Sequence, residues 1–392
     1  SLYRDTAGWY HVVWKQGSNT ATVYVNGEAA SGATASVSGN TAINNSVQHT
    51  IGTHANALGE TPLKAYLAET IMIDGTALGP DSFGETKNGV WIPKDASGLT
   101  FGTNGFHLDY ADSSALGNDV SGNNNDWTTV NLSAHDQTGD TPTFNSSSNG
   151  GNFATINPLA QQGGSTIDRS GDISDGNLFQ FLDSGQSGPT GTIGFNSTSG
   201  GKWYWEVGIT NFKNGCIVGI VNQDWNIDAE LAYNSPSSPT GADQCGLYIN
   251  TGNISQAGSG DGSNFTSYGS QLSAGVVVGI ALDVDNANIW FSVNGTFINS
   301  GDPAGGSNAG RGSGGTITTA MDFSKTWFPC VGNWSASTGT GITYNFGQDG
   351  TFGGTETAGG NSDASGYGNF FSSVPTGFLA LCSGNLLVAD AV

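Results

Sequence analysis

The sequence predicts an all-β protein: two antiparallel β-sandwiches in series, joined by an extended connector. Three observations carry that expectation. Charged residues make up only 11% of the 392 positions while Gly alone supplies 62, and Ser, Thr and Asn are abundant, the composition of many short strands joined by tight turns. The 10 Trp, 19 Phe and 11 Tyr supply the large apolar side chains that disordered chains lack. Runs of Ala, Leu, Glu, Lys and Arg, which build long helices, are missing. The length suffices for two hydrophobic cores.

The strands follow in order. Gly8–Trp14 is β-rich, and Ala21–Val25 forms a second strand closed by Asn26-Gly27, a strong hairpin dipeptide. Further strands are expected at His49–Gly52, Ala65–Ile73, Val90–Ile92 and Phe106–Tyr110. From about 112 to 173 the texture changes: Ser121–Asp126 and Asn145–Gly151 interrupt isolated anchors such as Trp127 and Phe153, which reads as a connector laid along the surface. Lys202–Ile209 alternates aromatic and smaller residues, and apolar runs follow at Cys216–Val221, Cys245–Ile249 and Gly275–Asp283. A turn at Asp285–Asn288 leads into Ile289–Val293 and then Asn294-Gly295; Trp327–Val331 and Thr343–Gly347 complete the set. The tail from Gly350 is glycine-rich and ends with one more strand at Phe378–Leu381. Strands at this spacing without helical crossovers predict antiparallel sandwiches.

Charge narrows the partners. Ten basic against 32 acidic residues give a formal charge of −22, which repels phosphate backbones and anionic headgroups, so neither nucleic acid nor membrane insertion is expected. No run approaches the ~20 apolar residues of a membrane span. Four cysteines (Cys216, Cys245, Cys330, Cys382) allow three pairings, but Cys216 opens an apolar strand and reads as a buried free thiol. Their spacings fit no zinc pattern.

Gly8–Val13 followed by Val23–Gly27 resembles the central hairpin of the laminin G-like, or concanavalin A-like, sandwich, and Ala65–Leu78 is similar to its closing strand and turn. The resemblance covers residues 1–111 and starts in mid-domain, so the front strands of such a sandwich are expected to be missing and the strand of Trp9 and Trp14 to have a bare edge or a covering partner chain. Residues 174–349 resemble a SPRY domain: Lys202–Val207 looks like its early Trp-Tyr-x-Glu-Val strand, Gly279–Asp285 with Ile289–Gly295 like its most recognisable hairpin, and Trp327–Val331 with Tyr344–Gly347 like its final pair. The order of the two modules, with Ala111–Asn123 and Asn157-Pro158-Leu159 between them, resembles structural proteins of marine tailed bacteriophages.

That resemblance implies a non-enzymatic protein on the virion surface, on a tail fibre, spike or head appendage. Its expected partners are other virion proteins, further copies of itself as a homo-oligomer, and a host surface glycan. A secreted bacterial adhesin and a polysaccharide-degrading enzyme on a concanavalin A-like fold are the alternatives. The enzyme needs two carboxylates facing across a cleft, and only Glu206, inside the aromatic strand, has a setting that would desolvate one. A strand carboxylate satisfied by nearby donors is the plainer reading of Glu206. No cofactor is expected. Ca²⁺ is conceivable from the laminin G-like resemblance, with Asp74, Asp81, Asp109, Asp112, Asp119 and Asp126 as candidates, but none forms an Asp-x-Asp-x-Asp-Gly loop. His11, His49 and His54 read as histidines satisfied by their neighbours. The expected ligand-binding residues are Trp225, Asn226, Tyr233 and Trp334, which combine flat aromatic surfaces with amides and carboxylates in loops.

Overall fold

The structure, a computed structural model, describes residues 8–17, 19–37, 43–53, 62–63, 65–87, 89–142, 151–158, 173–182, 186–210, 216–225, 243–256, 265–333 and 340–386. It is all β. Among the described residues the helices are three single 3-10 turns, Pro80–Ser82, Ala134–Asp136 and Ile298–Ser300. The chain divides into two compact units, one of Gly8–Gln137 and one from Thr138 onward. That boundary falls inside the stretch read from the sequence as a connector.

The first unit contains β1 (Val12–Gly17), β2 (Thr20–Val25), β3 (Glu28–Ser36), β4 (Thr70–Met72), β5 (Gly84–Lys87), β6 (Val90–Pro93) and β7 (Phe106–Leu108). They form sheets β1-β2-β3, β4-β7 and β5-β6. No strand is present at His49–Gly52. The turn between β2 and β3 holds Asn26 at φ 49° and Gly27 at φ 84°, both in the left-handed region that a tight hairpin requires. Asn26 also donates its amide to the His11 carbonyl at 2.8 Å and accepts the His11 amide on Oδ1 at 2.9 Å. Glycine is doubly required here, because a Cβ at Gly27 would fall 2.4 Å from the Trp91 ring. β1 is an edge strand among the described strands, and Val12 and Trp14, on one face of it, are 62% and 60% exposed.

Residues 112–127 pack against the same unit instead of trailing from it. The Asp119 carboxylate accepts the amides of His107 at 2.8 Å and of Ser121 and Asn125 at 2.9 Å. The Asn123 and Asn125 side chains both donate to the Gly105 carbonyl at 2.9 Å. An Asn-rich stretch therefore acts as a staple, satisfying the carbonyls of the loop before β7.

The second unit begins with β8 (Ile173–Ser174), β9 (Phe179–Leu182), β10 (Gln186–Ser187), β11 (Lys202–Ile209), β12 (Cys216–Asn222), β13 (Gln244–Tyr248), β14 (Asn253–Gln256) and β15 (Phe265–Ser267). It continues with β16 (Val276–Asp283), β17 (Asn288–Val293), β18 (Thr296–Phe297), β19 (Trp327–Asn333), β20 (Thr340–Asn345) and β21 (Leu379–Ala380). One sheet runs β10-β19-β12-β13-β14-β15; the other runs β18-β17-β16-β11-β20-β9-β8, with β21 added in parallel to β11. Alternation decides the packing. Trp203, Trp205, Val207 and Ile209 of β11 point into the core between the sheets, with Val218, Leu247, Trp327 and Tyr344. Tyr204 points to the other face, which Phe153, Phe370, Phe378 and Cys382 cover. The central sheet is thus buried on both sides, which is why β11 and β16 read as nearly continuous apolar runs.

All four cysteines are buried and free. Burial pushes the Cys216 thiol far above its ordinary range, in keeping with a small hydrophobe inside an apolar strand.

Candidate ligand-binding face

The sequence places its expected ligand residues after β12 and after β19. β12 and β19 are antiparallel, with Asn222 opposite Trp327 and Cys216 opposite Asn333. Trp225 follows the Asn222 end. Asn226, Tyr233 and Trp334 themselves lie outside the described residues, so Trp225 is the member of the set that the structure places.

The Trp225 end is tightly built. Asn222 accepts the Trp225 amide on its carbonyl at 3.0 Å, and its side-chain oxygen accepts the amides of Asp224 at 3.2 Å and Asp243 at 3.1 Å. Gln223 joins this turn to the loop before β19, donating its amide to the Thr326 carbonyl at 2.7 Å and accepting the Thr326 amide at 2.9 Å. Lys325 pairs with Asp224 at 2.5 Å on the rim. Behind the rim, Arg311 is 1% exposed. Its guanidinium grips the Asp243 carboxylate at 2.7 and 3.1 Å, donates to the Gln244 carbonyl at 2.9 Å, and lies 6.0 Å from the Trp327 ring centroid. A bidentate, fully satisfied fork of this kind fixes loop positions rather than offering a charge to a ligand. Trp225 is 7% exposed, and its indole Nε1 has no hydrogen-bond partner among the described residues.

Glu206, the sequence's one desolvated carboxylate, is fully buried. It accepts hydrogen bonds from the Tyr204 hydroxyl at 3.1 Å, Asn345 Nδ2 at 3.2 Å, the Phe371 amide at 2.9 Å and the Ser372 amide at 2.8 Å. Burial raises its pKa and outweighs the hydrogen bonds from Ser372, Phe371 and Tyr204, which pull the other way. The carboxylate is spent on pinning residues 371 and 372 to the sheet, which matches the plainer reading of a strand carboxylate satisfied by nearby donors.

Five of the metal candidates of the first unit, Asp74, Asp109, Asp112, Asp119 and Asp126, have carboxylates engaged by nearby donors. Asp74 accepts both amide groups of Asn104 and the side chain of Asn44, and Asp112 accepts the Ser114 amide and hydroxyl. Asp109 accepts the Ala111 amide and Asp126 the Asp119 amide. His11 accepts the Trp91 indole N–H on Nδ1 at 3.0 Å, and His54 lies outside the described residues. Among the described residues no group of three or more His, Cys, Asp and Glu is placed to hold a metal ion.

Residues 202–349 match the SPRY domain family. This segment is a SPRY domain. It begins at the first residue of β11 and ends at Asp349, just after β20. Two solved structures are similar over this part of the chain. The SPRY domain of human HERC1 shares 16% identity, covering 43% of this chain and 87% of that one with a TM-score of 0.29; a second human SPRY domain shares 17%, covering 46% and 92% with a TM-score of 0.26. No curated protein matches the sequence. SPRY domains are protein-interaction modules. The family segment stops at 349, yet the buried residues Phe352, Phe370, Phe378 and Leu381 beyond it complete the unit. Sequence reasoning read only the last strand of this lid, at Phe378–Leu381, because its earlier anchors, Phe352 and Phe370, are isolated apolar residues in a glycine-rich stretch.

Proposed function

We propose that this chain is a non-enzymatic attachment protein on the surface of a tailed-bacteriophage virion, whose SPRY domain binds a protein or glycan partner through the loops at the Trp225 end. The observation that carries the reading is the SPRY domain itself, a scaffold whose rigid double sheet holds variable loops for binding. Glu206, the best candidate for a catalytic acid, is fully engaged inside the sheet, which favours binding over hydrolysis. The laminin G-like reading of residues 1–111 and the module order support the virion setting. Val12 and Trp14, exposed on an edge strand, support contact with further chains of the assembly.

Two measurements test this. Antibodies raised against the chain should decorate intact particles in electron micrographs. The purified chain should compete with particles for adsorption to host cells or for subunit attachment. Trp225→Ala and the rim variant Lys325→Glu should each weaken that competition while circular dichroism stays unchanged. Undecorated particles, or variants that compete like the parent, would refute the proposal.

A further inference from the structure

The first unit carries a groove that neither its strands nor the SPRY domain explain. Two stretches of coil, 113–118 and 126–129, lie side by side, and 132–134 forms a third wall around a groove of about 560 Å³. That volume falls within the roughly 300–1,000 Å³ range of small-molecule sites. The walls are held by specific bonds. Trp127 donates its amide to the Gly117 carbonyl at 2.8 Å, and Asp126 accepts the Asp119 amide at 2.9 Å. A Cβ at Gly117 would fall 1.8 Å from the Trp127 carbonyl oxygen, so glycine is what lets the two walls approach. The third wall ends in the capping box of Ser133 and Asp136.

The lining has a consistent chemistry. Trp127 is half-buried, its ring braced edge-on by Phe106 at 5.1 Å, with Leu116 and Leu132 as further apolar surface. Asn118, Thr128 and Thr129 contribute an amide and hydroxyls. Asn118 is exposed, and its side chain has no hydrogen bond among the described residues. Asp126 is the one ionisable group in the lining, and no lysine or arginine is present. A groove without cations in a chain of charge −22 disfavours phosphate, sulfate and carboxylate ligands. A braced indole beside hydroxyls, an amide and a carboxylate suits a ligand with C–H faces and many hydroxyls.

We infer that this groove binds a neutral oligosaccharide, with a sugar ring stacked on Trp127 and its hydroxyls bonded to Asn118, Asp126 and the threonines. The site lies in the first unit and stands apart from the SPRY reading. Labelled full-length chain, applied to an array of neutral, sialylated and sulfated oligosaccharides, tests it. A neutral glycan should bind, and its sialylated or sulfated forms should bind more weakly. Trp127→Ala and Asn118→Ala should each lower affinity roughly tenfold or more. Trp127→Phe, which keeps the contact with Phe106, should retain most of the binding, and Trp225→Ala should leave it unchanged. Asn118→Ala keeps the test sound if Trp127→Ala disturbs the loop. Failure of every neutral glycan, preference for sulfated ones, insensitivity to both Asn118→Ala and Trp127→Ala, or loss of binding in Trp225→Ala overturns the inference.

Discussion

Tyr204 and Glu206 stand two residues apart on β11, and the Tyr204 hydroxyl donates to the Glu206 carboxylate at 3.1 Å. A strand's period of two puts both on one face, the face opposite the sandwich core. There the carboxylate also takes the amides of Phe371 and Ser372, tying a segment 165 residues downstream to the centre of the sheet. Glu206→Ala leaves those donors buried without an acceptor, each worth about 1–3 kcal/mol. Urea unfolding should show a loss of at least ~3 kcal/mol, with the family-matched strands still β by circular dichroism. A loss below 1 kcal/mol would mean the tail is held by something else.

The same lid predicts the effect of Phe370. It is fully buried and meets the Tyr204 ring edge-on at 5.3 Å. Phe370→Ala should cost about 3–5 kcal/mol. Ending the chain at residue 349 should uncover Tyr204 and Trp290 and raise binding of a hydrophobic dye. If the shortened chain melts at the parent temperature without binding dye, the lid contributes nothing to the SPRY core.

Thiol chemistry gives an independent check on the core. Burial pushes the Cys245 and Cys330 thiols up to about 12 and that of Cys382 up to about 11, and Cys216 higher still. Only the thiolate reacts. The native protein should therefore be inert to a thiol-disulfide reagent at pH 8, and the urea-unfolded chain should titrate all four cysteines. A thiol that reacts within seconds in the folded protein would place it on the surface.

What was legible in the sequence was local. Asn26-Gly27 and Asn294-Gly295 announce their hairpins because φ values of 49° and 84°, and of 47° and 80°, need those residues. Both asparagines also make the same pair of bonds across to a neighbouring strand, at His11 and at Val277. The aromatic alternation of Lys202–Ile209 gave the strand but not the fate of its second face, because the residues covering it are remote in sequence: Phe153 lies well before the strand, and Phe370, Phe378 and Cys382 lie far after it. Residues His49–Gly52 are not a strand: Gly52 accepts the Leu63 amide at 2.7 Å, but no ladder joins this stretch to another strand among the described residues.

Glu69 and His107 form a pair that pattern reading did not isolate, and it sets a pH dependence for the first unit. Ile71 of β4 pairs with His107 of β7, which brings His107 Nε2 to 4.0 Å from Glu69 Oε2. That nitrogen has no hydrogen-bond partner among the described residues, and the ring stacks on Phe101 at 5.9 Å. Burial, then the charges of Asp109 and Asp95, push the Glu69 carboxyl from 4.5 up to about 7. Burial pulls His107 down, opposed by Asp109, Asp119 and Asp95. A carboxyl raised in the fold favours folding while protonated, so its contribution is full below 4.5 and is lost as pH rises through about 7. The lowered His107 acts in reverse, its contribution being lost as pH falls below 6.5. Glu69→Gln removes the first effect and leaves the second. The variant should match the parent at pH 4, gain on it steadily between pH 4.5 and 7, and hold a constant advantage above that. The side chain of Glu69 is 30% exposed, so the gain should be smaller than the full shift implies. Melting temperatures of parent and variant across that range decide it: a difference that does not change with pH, or one that shrinks as pH rises, would show that Glu69 ionises as an ordinary surface carboxylate.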